Sequence, residues 1–99
     1  MLGGERPELV PVPLEELVTK VVALVRHDAA VRHVALQTQI PQDIAAVRAD
    51  PVQLQQVLLN LVFNGLDALE QVPRSARRLV LSARMLADAH VELVVRDTG

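Results

Sequence analysis

Aromatic residues are almost absent from this chain. Phe63 is the single Phe, Tyr or Trp among 99 residues, although hydrophobic residues make up 51% of the total. A core must therefore be built from Leu, Val, Ile and Ala around one ring, and the length allows one modest domain at most. Cysteine is missing altogether, which excludes a disulfide frame and a thiolate metal site. No apolar run approaches the roughly 20 residues that span a bilayer. The N-terminal Met1-Leu2-Gly3-Gly4-Glu5-Arg6-Pro7 lacks the apolar centre of a secretory signal. Neither sign of charge dominates: 10 Lys and Arg stand against 12 Asp and Glu, a formal net charge of −2, with no basic stripe of the kind a nucleic-acid binder shows. The short cluster Arg74, Arg77, Arg78 reads as a solvated turn. These absences point to a soluble, cytoplasmic domain with no nucleic-acid partner and no direct membrane contact. A membrane-anchored parent stays open, because the chain looks incomplete at its end.

What is present is periodicity. Residues 1–12 are punctuated by Gly and Pro and read as a lead-in, with a short strand near Leu9-Val10. Pro13 suits the first position of a helix, and Glu15 and Glu16 sit where the helix dipole favours anions. Leu14, Leu17, Val18, Val21, Leu24 and Val25 recur at three- and four-residue steps, predicting an amphipathic helix to about residue 32. Val34 to Ile40 alternates apolar and polar residues as a half-buried strand does, and Ala46-Val47-Arg48 reads as a short paired strand. Asp50 is a good N-cap, Pro51 fits the next position, and Gln53 completes a variant capping box. That second helix should reach about Gln71, with Pro73 stopping it. Leu79, Leu81, Ala83 and Met85 share one side of a strand, Ala87-Asp88-Ala89 suits a hairpin turn, and Val91, Leu93 and Val95 alternate on the return strand. The order helix, strand pair, helix, hairpin implies an α+β fold with two helices on one face of a mixed, mostly antiparallel sheet.

The second helix carries the chemistry. At about 100° per residue, Gln53, Gln56, Asn60, Asn64, Asp67 and Gln71 fall within roughly 40° of one line. A face that only meets solvent is usually built of Lys and Glu, whereas Asn is a poor helix former because its side chain competes for backbone hydrogen bonds. Two Asn one turn apart, with Asp following on the same face, therefore suggest a task other than holding a helix together. Asn60 and Asn64 offer neutral carbonyl oxygens and amide donors. Magnesium takes hard oxygen ligands while sharing its shell with waters and substrate phosphates, and a neutral Asn oxygen adds no repulsion against a triphosphate. Asp97 ends the last strand, where a carboxylate can accept a hydrogen bond from an amino group such as the adenine N6. Gly99 lets a ring approach the backbone. Gln53, Gln56 and Gln71 are divided between capping or solvation and a minor pocket role. His27 and His33 lack the surrounding acceptor motif, and His90 reads as a turn residue.

Asp50 to Leu69 resembles the N box of sensor histidine kinases, Asp-x-x-x-Leu-x-Gln-Val-Leu-x-Asn-Leu-x-x-Asn-Ala-x-x-Ala. The nitrogen- and oxygen-sensing type is most similar, and Asp97-Thr98-Gly99 resembles the first half of the family's Asp-x-Gly-x-Gly box. The resemblance runs over roughly residues 9–99 in element order. It implies a Bergerat-type two-layer α/β sandwich of the GHKL superfamily, which also includes DNA gyrase and MutL. It further implies ATP and Mg²⁺ as cofactors. By position, Asn64 would coordinate Mg²⁺ and Asn60 would contact phosphate or support the metal shell. Asp67 would line the same pocket, Asp97 would read the adenine amino group, and Gly99 would lie against the nucleotide. Hydrolytic relatives carry a water-activating Glu where this chain has Asn60, so Asn there agrees with transfer of the γ-phosphoryl group to a histidine rather than with hydrolysis. Implied partners are the dimerisation and phosphoacceptor domain of a parent kinase and, indirectly, a response regulator.

The sequence also departs from the family pattern. Gly65 stands where the family usually has Ala, at a cost of about 1 kcal/mol of helix stability. The lid and later glycine box that complete a triphosphate cradle do not occur in residues 1–99, so domain boundaries of 1–12 for the lead-in and 13–99 for an incomplete ATP-binding domain follow. The isolated chain is expected to bind ATP weakly or not at all, and a micromolar dissociation constant would contradict this. Apolar sheet surface beside Val91–Val95 invites a homodimer or domain swap. An anti-sigma-factor-like serine kinase of the same superfamily and a non-catalytic folding or interaction unit are the competing readings.

Overall fold

In the computed structural model, which describes residues 9–87 and 90–98, the two apolar periodicities become two long helices. The first, α1, runs Leu14–Val31, and the second, α2, runs Pro51–Ala68. Pro13 is the N-cap of α1 rather than its first helical residue: its ψ of 120° is extended, and its carbonyl already accepts from the Leu17 N–H at 3.1 Å. Glu15 and Glu16 occupy the first turn as expected. At the other end His33 takes a φ of 59°. The His33 N–H donates to the Ala30 carbonyl and the Val34 N–H to the Ala29 carbonyl, the pattern of a Schellman motif. Buried Val34 and Ala29 supply its apolar contact. A non-glycine residue in the left-handed region is uncommon, though His is among those enriched there.

Asp50 caps α2 as its sequence position predicts. Its Oδ1 accepts from the N–H groups of Val52 at 2.9 Å and Gln53 at 3.2 Å, with Pro51 directly behind it. After Ala68 the chain tightens into a 3-10 turn over Leu69–Gln71, so helical structure does extend to Gln71 before Pro73.

Among the described residues five strands accompany the helices: β1 (Val10–Val12), β2 (Ala35–Gln39), β3 (Val47–Ala49), β4 (Arg78–Met85) and β5 (Val91–Asp97). The strand over Ala46–Arg48 does pair, but not with its predecessor. It joins β1 in a two-stranded antiparallel ribbon, with Pro11 opposite Arg48. Proline tolerates such an edge because it has no N–H to offer a ladder. The preceding strand, β2, instead pairs parallel to β4, with Leu36 opposite Leu79, in a sheet of order β2-β4-β5. A helix lies between these parallel partners in the chain, as parallel strands require. The β4–β5 hairpin is antiparallel with Leu79 opposite Asp97, and the Leu86 N–H closes it on the His90 carbonyl at 2.7 Å. The turn residues Asp88 and Ala89 lie outside the described residues, as do residues 1–8 and Gly99. The fold is thus two helices on mixed, mostly antiparallel strands.

α1 packs over β2, and α2 over β4 and β5. Val18, Val21 and Val25 of α1 meet Leu58, Val62 and Leu66 of α2 and Leu79 and Leu81 of β4 in one aliphatic core. Phe63, the one ring, packs against this core without being fully buried. β2 is more exposed than its alternation suggests, since only Leu36 turns partly inward. The arginine cluster likewise differs from a solvated turn. The Arg77 guanidinium donates to the carbonyls of Val72, Arg32 and Glu70 at 2.8, 2.8 and 3.2 Å. One cation therefore satisfies carbonyls at the ends of both helices, where the helix dipole favours positive charge.

Candidate functional site on the second helix

α2 divides lengthwise into stripes. Leu58, Val62 and Leu66 are buried, whereas Gln53, Gln56, Asn60, Asn64 and Asp67 are all exposed. The packing thus turns the amide ladder outward along its full length. Asn60 and Asn64 stand one turn apart, about 6 Å along the axis, and among the described residues neither side chain is committed to an internal hydrogen bond. Beside them on the helix wheel lie Val57 and Leu61, which remain 55% and 42% exposed. Exposed apolar side chains thus flank the two amides on this face of the helix.

A chain of contacts brings Asp97 to the same part of the molecule. Gly65 follows Asn64, and a Cβ added to Gly65 would stand 2.6 Å from Leu79 Cδ1, so the helix lies close upon β4 there. Leu79 is directly opposite Asp97 in the hairpin, and cross-strand partners point to the same face of a sheet. The half-buried Asp97 therefore sits on the helix-facing side, next to the residue that touches Gly65. Helix propensity alone makes Gly65 a defect; the packing makes it a point of close approach between α2 and β4.

The end of β5 is tied down by Thr98. Its hydroxyl donates to the Ala76 carbonyl at 2.7 Å and accepts from the Arg78 N–H at 3.0 Å, with the Arg78 carbonyl at 3.3 Å. The Thr98 N–H adds a 3.1 Å bond to the Arg78 carbonyl. Sequence reasoning missed this clamp, whose only visible signal is a hydroxyl residue directly after the strand-end carboxylate.

Asp67 holds a different position from the two Asn. Its Oδ1 accepts from Arg32 Nη1 at 2.6 Å, and Arg32 also lies 3.5 Å from Glu70. The Asp67 hydrogen bond, joined by the nearby negative charge, holds the Arg32 guanidinium above its ordinary value. The Asp67 carboxylate is 68% exposed, so the pair contributes only about 0–1 kcal/mol. Its structural effect is to join the C-terminal ends of α1 and α2.

The donor set decides which metal chemistry is open. No group of three or more His, Cys, Asp or Glu gathers among the described residues, so a metal held by the protein alone does not fit. A neutral Asn oxygen at Asn64, backed by Asn60, does fit Mg²⁺ that arrives with phosphates and keeps several waters. Concavity by itself points elsewhere. A cleft of about 570 Å³ at the start of α1 is lined by Pro13, Glu16, Lys20, Gln42 and Ile44 and includes none of the ladder residues. The ladder itself lies on an open helix face. No helix among the described residues is long and apolar enough to cross a membrane.

No family model matches the chain. Individual proteins do. The sensor histidine kinase TmoS of Ectopseudomonas mendocina is 31% identical over 99 residues, covering 99% of this chain and 10% of TmoS. The sensor protein FixL of Bradyrhizobium diazoefficiens is 38% identical over 86 residues, covering 87% of this chain and 17% of FixL. The chain thus spans less than a fifth of either relative. Among solved structures, the nucleotide-free catalytic domain of histidine kinase ThkA superposes with a TM-score of 0.80 at 22% identity, over 93% of this chain and 60% of that domain. Full-length ShkA in complex with AMPPNP gives a TM-score of 0.80 at 25% identity, over 98% of this chain and 20% of ShkA. In sequence along nearly all its length, and in fold, the chain is recognised as histidine kinase catalytic-domain sequence of the GHKL superfamily.

Proposed function

We propose that this chain supplies the metal-and-phosphate wall and the adenine-reading carboxylate of the ATP-binding domain of a two-component sensor histidine kinase. The parent reaction is transfer of the ATP γ-phosphoryl group to a histidine. One observation carries the reading: the amide ladder of α2 faces outward with Asn60 and Asn64 uncommitted, while the Gly65–Leu79 contact sets the same helix close upon β4, whose partner strand ends in Asp97. Asn64 holds Mg²⁺ through its carbonyl oxygen, and Asn60 donates its amide to phosphate. Asp67 marks the margin of the wall, with its carboxylate shared with Arg32. Asp97 accepts from an exocyclic amino group, and a glycine at position 99 leaves room for the ring. The ion, when bound with the nucleotide, neutralises charge that develops on the transferring phosphoryl group. What the residues of this chain contribute is positioning, since phosphoryl transfer leaves little covalent work for the protein. Neither Asn activates a water, which suits a phosphoryl group destined for a side chain. The acceptor histidine and the response regulator belong to other parts of such a system. The complex of ThkA with the response regulator TrrA is among the structures that share this fold.

Titration calorimetry with ATP, in the presence and absence of Mg²⁺, tests the reading. Weak binding strengthened by Mg²⁺ is expected of the wild-type chain, and Asn64→Ala should remove the strengthening. An Asn64→Ala variant whose binding still depends on Mg²⁺ would contradict the role given to Asn64.

A further inference from the structure

We propose that Thr98 is a positioning residue: its hydroxyl, clamped between Ala76 and Arg78, fixes the direction in which Asp97 presents its carboxylate to a nucleobase. The inference rests on the adenine-reading role given to Asp97 above and adds to it the element that holds Asp97 in place. A threonine hydroxyl has one proton to give and two lone pairs to offer. Here the proton goes to the Ala76 carbonyl and a lone pair takes the Arg78 N–H. The hydroxyl therefore replaces a strand partner at the point where the β4–β5 ladder ends.

The fixed side of the clamp is itself anchored. Ala76 closes a 3-10 turn through its N–H to the Pro73 carbonyl. Arg77, between the two clamping residues, is bound to carbonyls of Val72, Glu70 and Arg32. Residues 76–78 thus form a hub tied to the ends of both helices, and Thr98 hangs the end of β5 from it. Asp97 is held from two sides, by its pairing with Leu79 before the clamp and by Thr98 after it. A strand end without such a clamp frays, and a carboxylate on it selects poorly between amino and carbonyl groups of a base.

Three variants of the full chain test this: Thr98→Val, which keeps the shape and removes the hydroxyl, Thr98→Ser, which keeps the hydroxyl, and Asp97→Asn as the reference for lost base reading. Amide exchange of Arg78 is measured first, because it reports the clamp without any nucleotide. Exchange should speed up in Thr98→Val and stay near wild type in Thr98→Ser; unchanged exchange in Thr98→Val overturns the clamp. Binding of Mg-ATP, Mg-GTP and Mg-tripolyphosphate is then compared by NMR titration. Thr98→Val should reduce the preference for ATP over GTP by about three- to tenfold, the range of one misplaced hydrogen bond. Tripolyphosphate binding should not change, and Thr98→Ser should restore the preference. A purely structural role would weaken all three ligands together. If Asp97→Asn loses the preference while Thr98→Val keeps it, the positioning role fails and the reading of Asp97 stands. If the wild-type chain shows no preference, or Asp97→Asn leaves it intact, the reading of Asp97 fails and takes the inference with it.

Discussion

Replacing Gly65 by Ala offers a quantitative check on how α2 meets the sheet. In an isolated helix the change is favourable by about 1 kcal/mol. Here the new Cβ would stand 2.6 Å from Leu79 Cδ1 and 3.6 Å from both Cδ2 and Cγ. Carbon atoms at rest lie about 3.5–4.0 Å apart, so one methyl must withdraw by about 1 Å while the others are already at ordinary contact. Leu79 is fully buried among Leu58, Val62 and Leu81, which leaves its methyl little room to turn. Overpacking of this kind costs about 1–3 kcal/mol, so Gly65→Ala should be destabilising by about 0–2 kcal/mol net despite its better helix propensity. Leu79→Val alone, one methylene smaller, should cost about 1 kcal/mol. The Val methyls replace atoms near the Leu Cγ, where 3.6 Å is comfortable, so the double variant should return close to wild type. The predicted coupling is thus favourable by about 1–3 kcal/mol, read from urea or thermal unfolding followed by circular dichroism. For a domain of this size each kcal/mol moves Tm by about 4–8 °C. Additive effects, within about 0.5 kcal/mol, would refute the close approach of α2 to β4.

Two further substitutions probe the frame around the site. Asp50→Ala removes the acceptor of the Val52 and Gln53 N–H groups and should lower stability by about 1 kcal/mol, whereas Asp50→Ser should retain most of it; equal loss in both would refute the cap. Arg77→Lys keeps the charge but not the planar fork that reaches three carbonyls. It should cost about 2 kcal/mol in the same unfolding assay, and a Lys variant as stable as wild type would show that charge alone suffices.

How much of this was legible beforehand depends on how far each feature reaches along the chain. The α2 cap, its Pro51 start and its end near Gln71 are local, and Asp50, Pro51 and Pro73 announce them. The outward direction of Asn60 and Asn64 follows from helical period alone, and α2 packs as that period requires. β3 illustrates the opposite case. Its residues read as a strand, but the choice of β1 over β2 as partner is made by tertiary geometry that three residues cannot encode. Arg77 was misjudged for the same reason, because its carbonyl partners include Arg32, far away in sequence. Gly65 reads as a defect until Leu79 is placed against it, and the role of Thr98 has no sequence signal until Ala76 and Arg78 are placed beside it. Of the candidate site, the ladder was therefore readable, and the contacts that set α2 upon β4 and tie down the strand end after Asp97 were not.

The central claim is that Asn60 and Asn64 face the metal and phosphates of a bound nucleotide. Paramagnetic broadening by Mn²⁺-AMPPNP at millimolar concentration, read from the side-chain amide signals of this chain, tests it directly. The account predicts that the Asn64 amide broadens first and Asn60 next, with Gln42, in the cleft at the start of α1, unaffected. Broadening centred on Gln42, or sharp signals from both Asn residues, would contradict it.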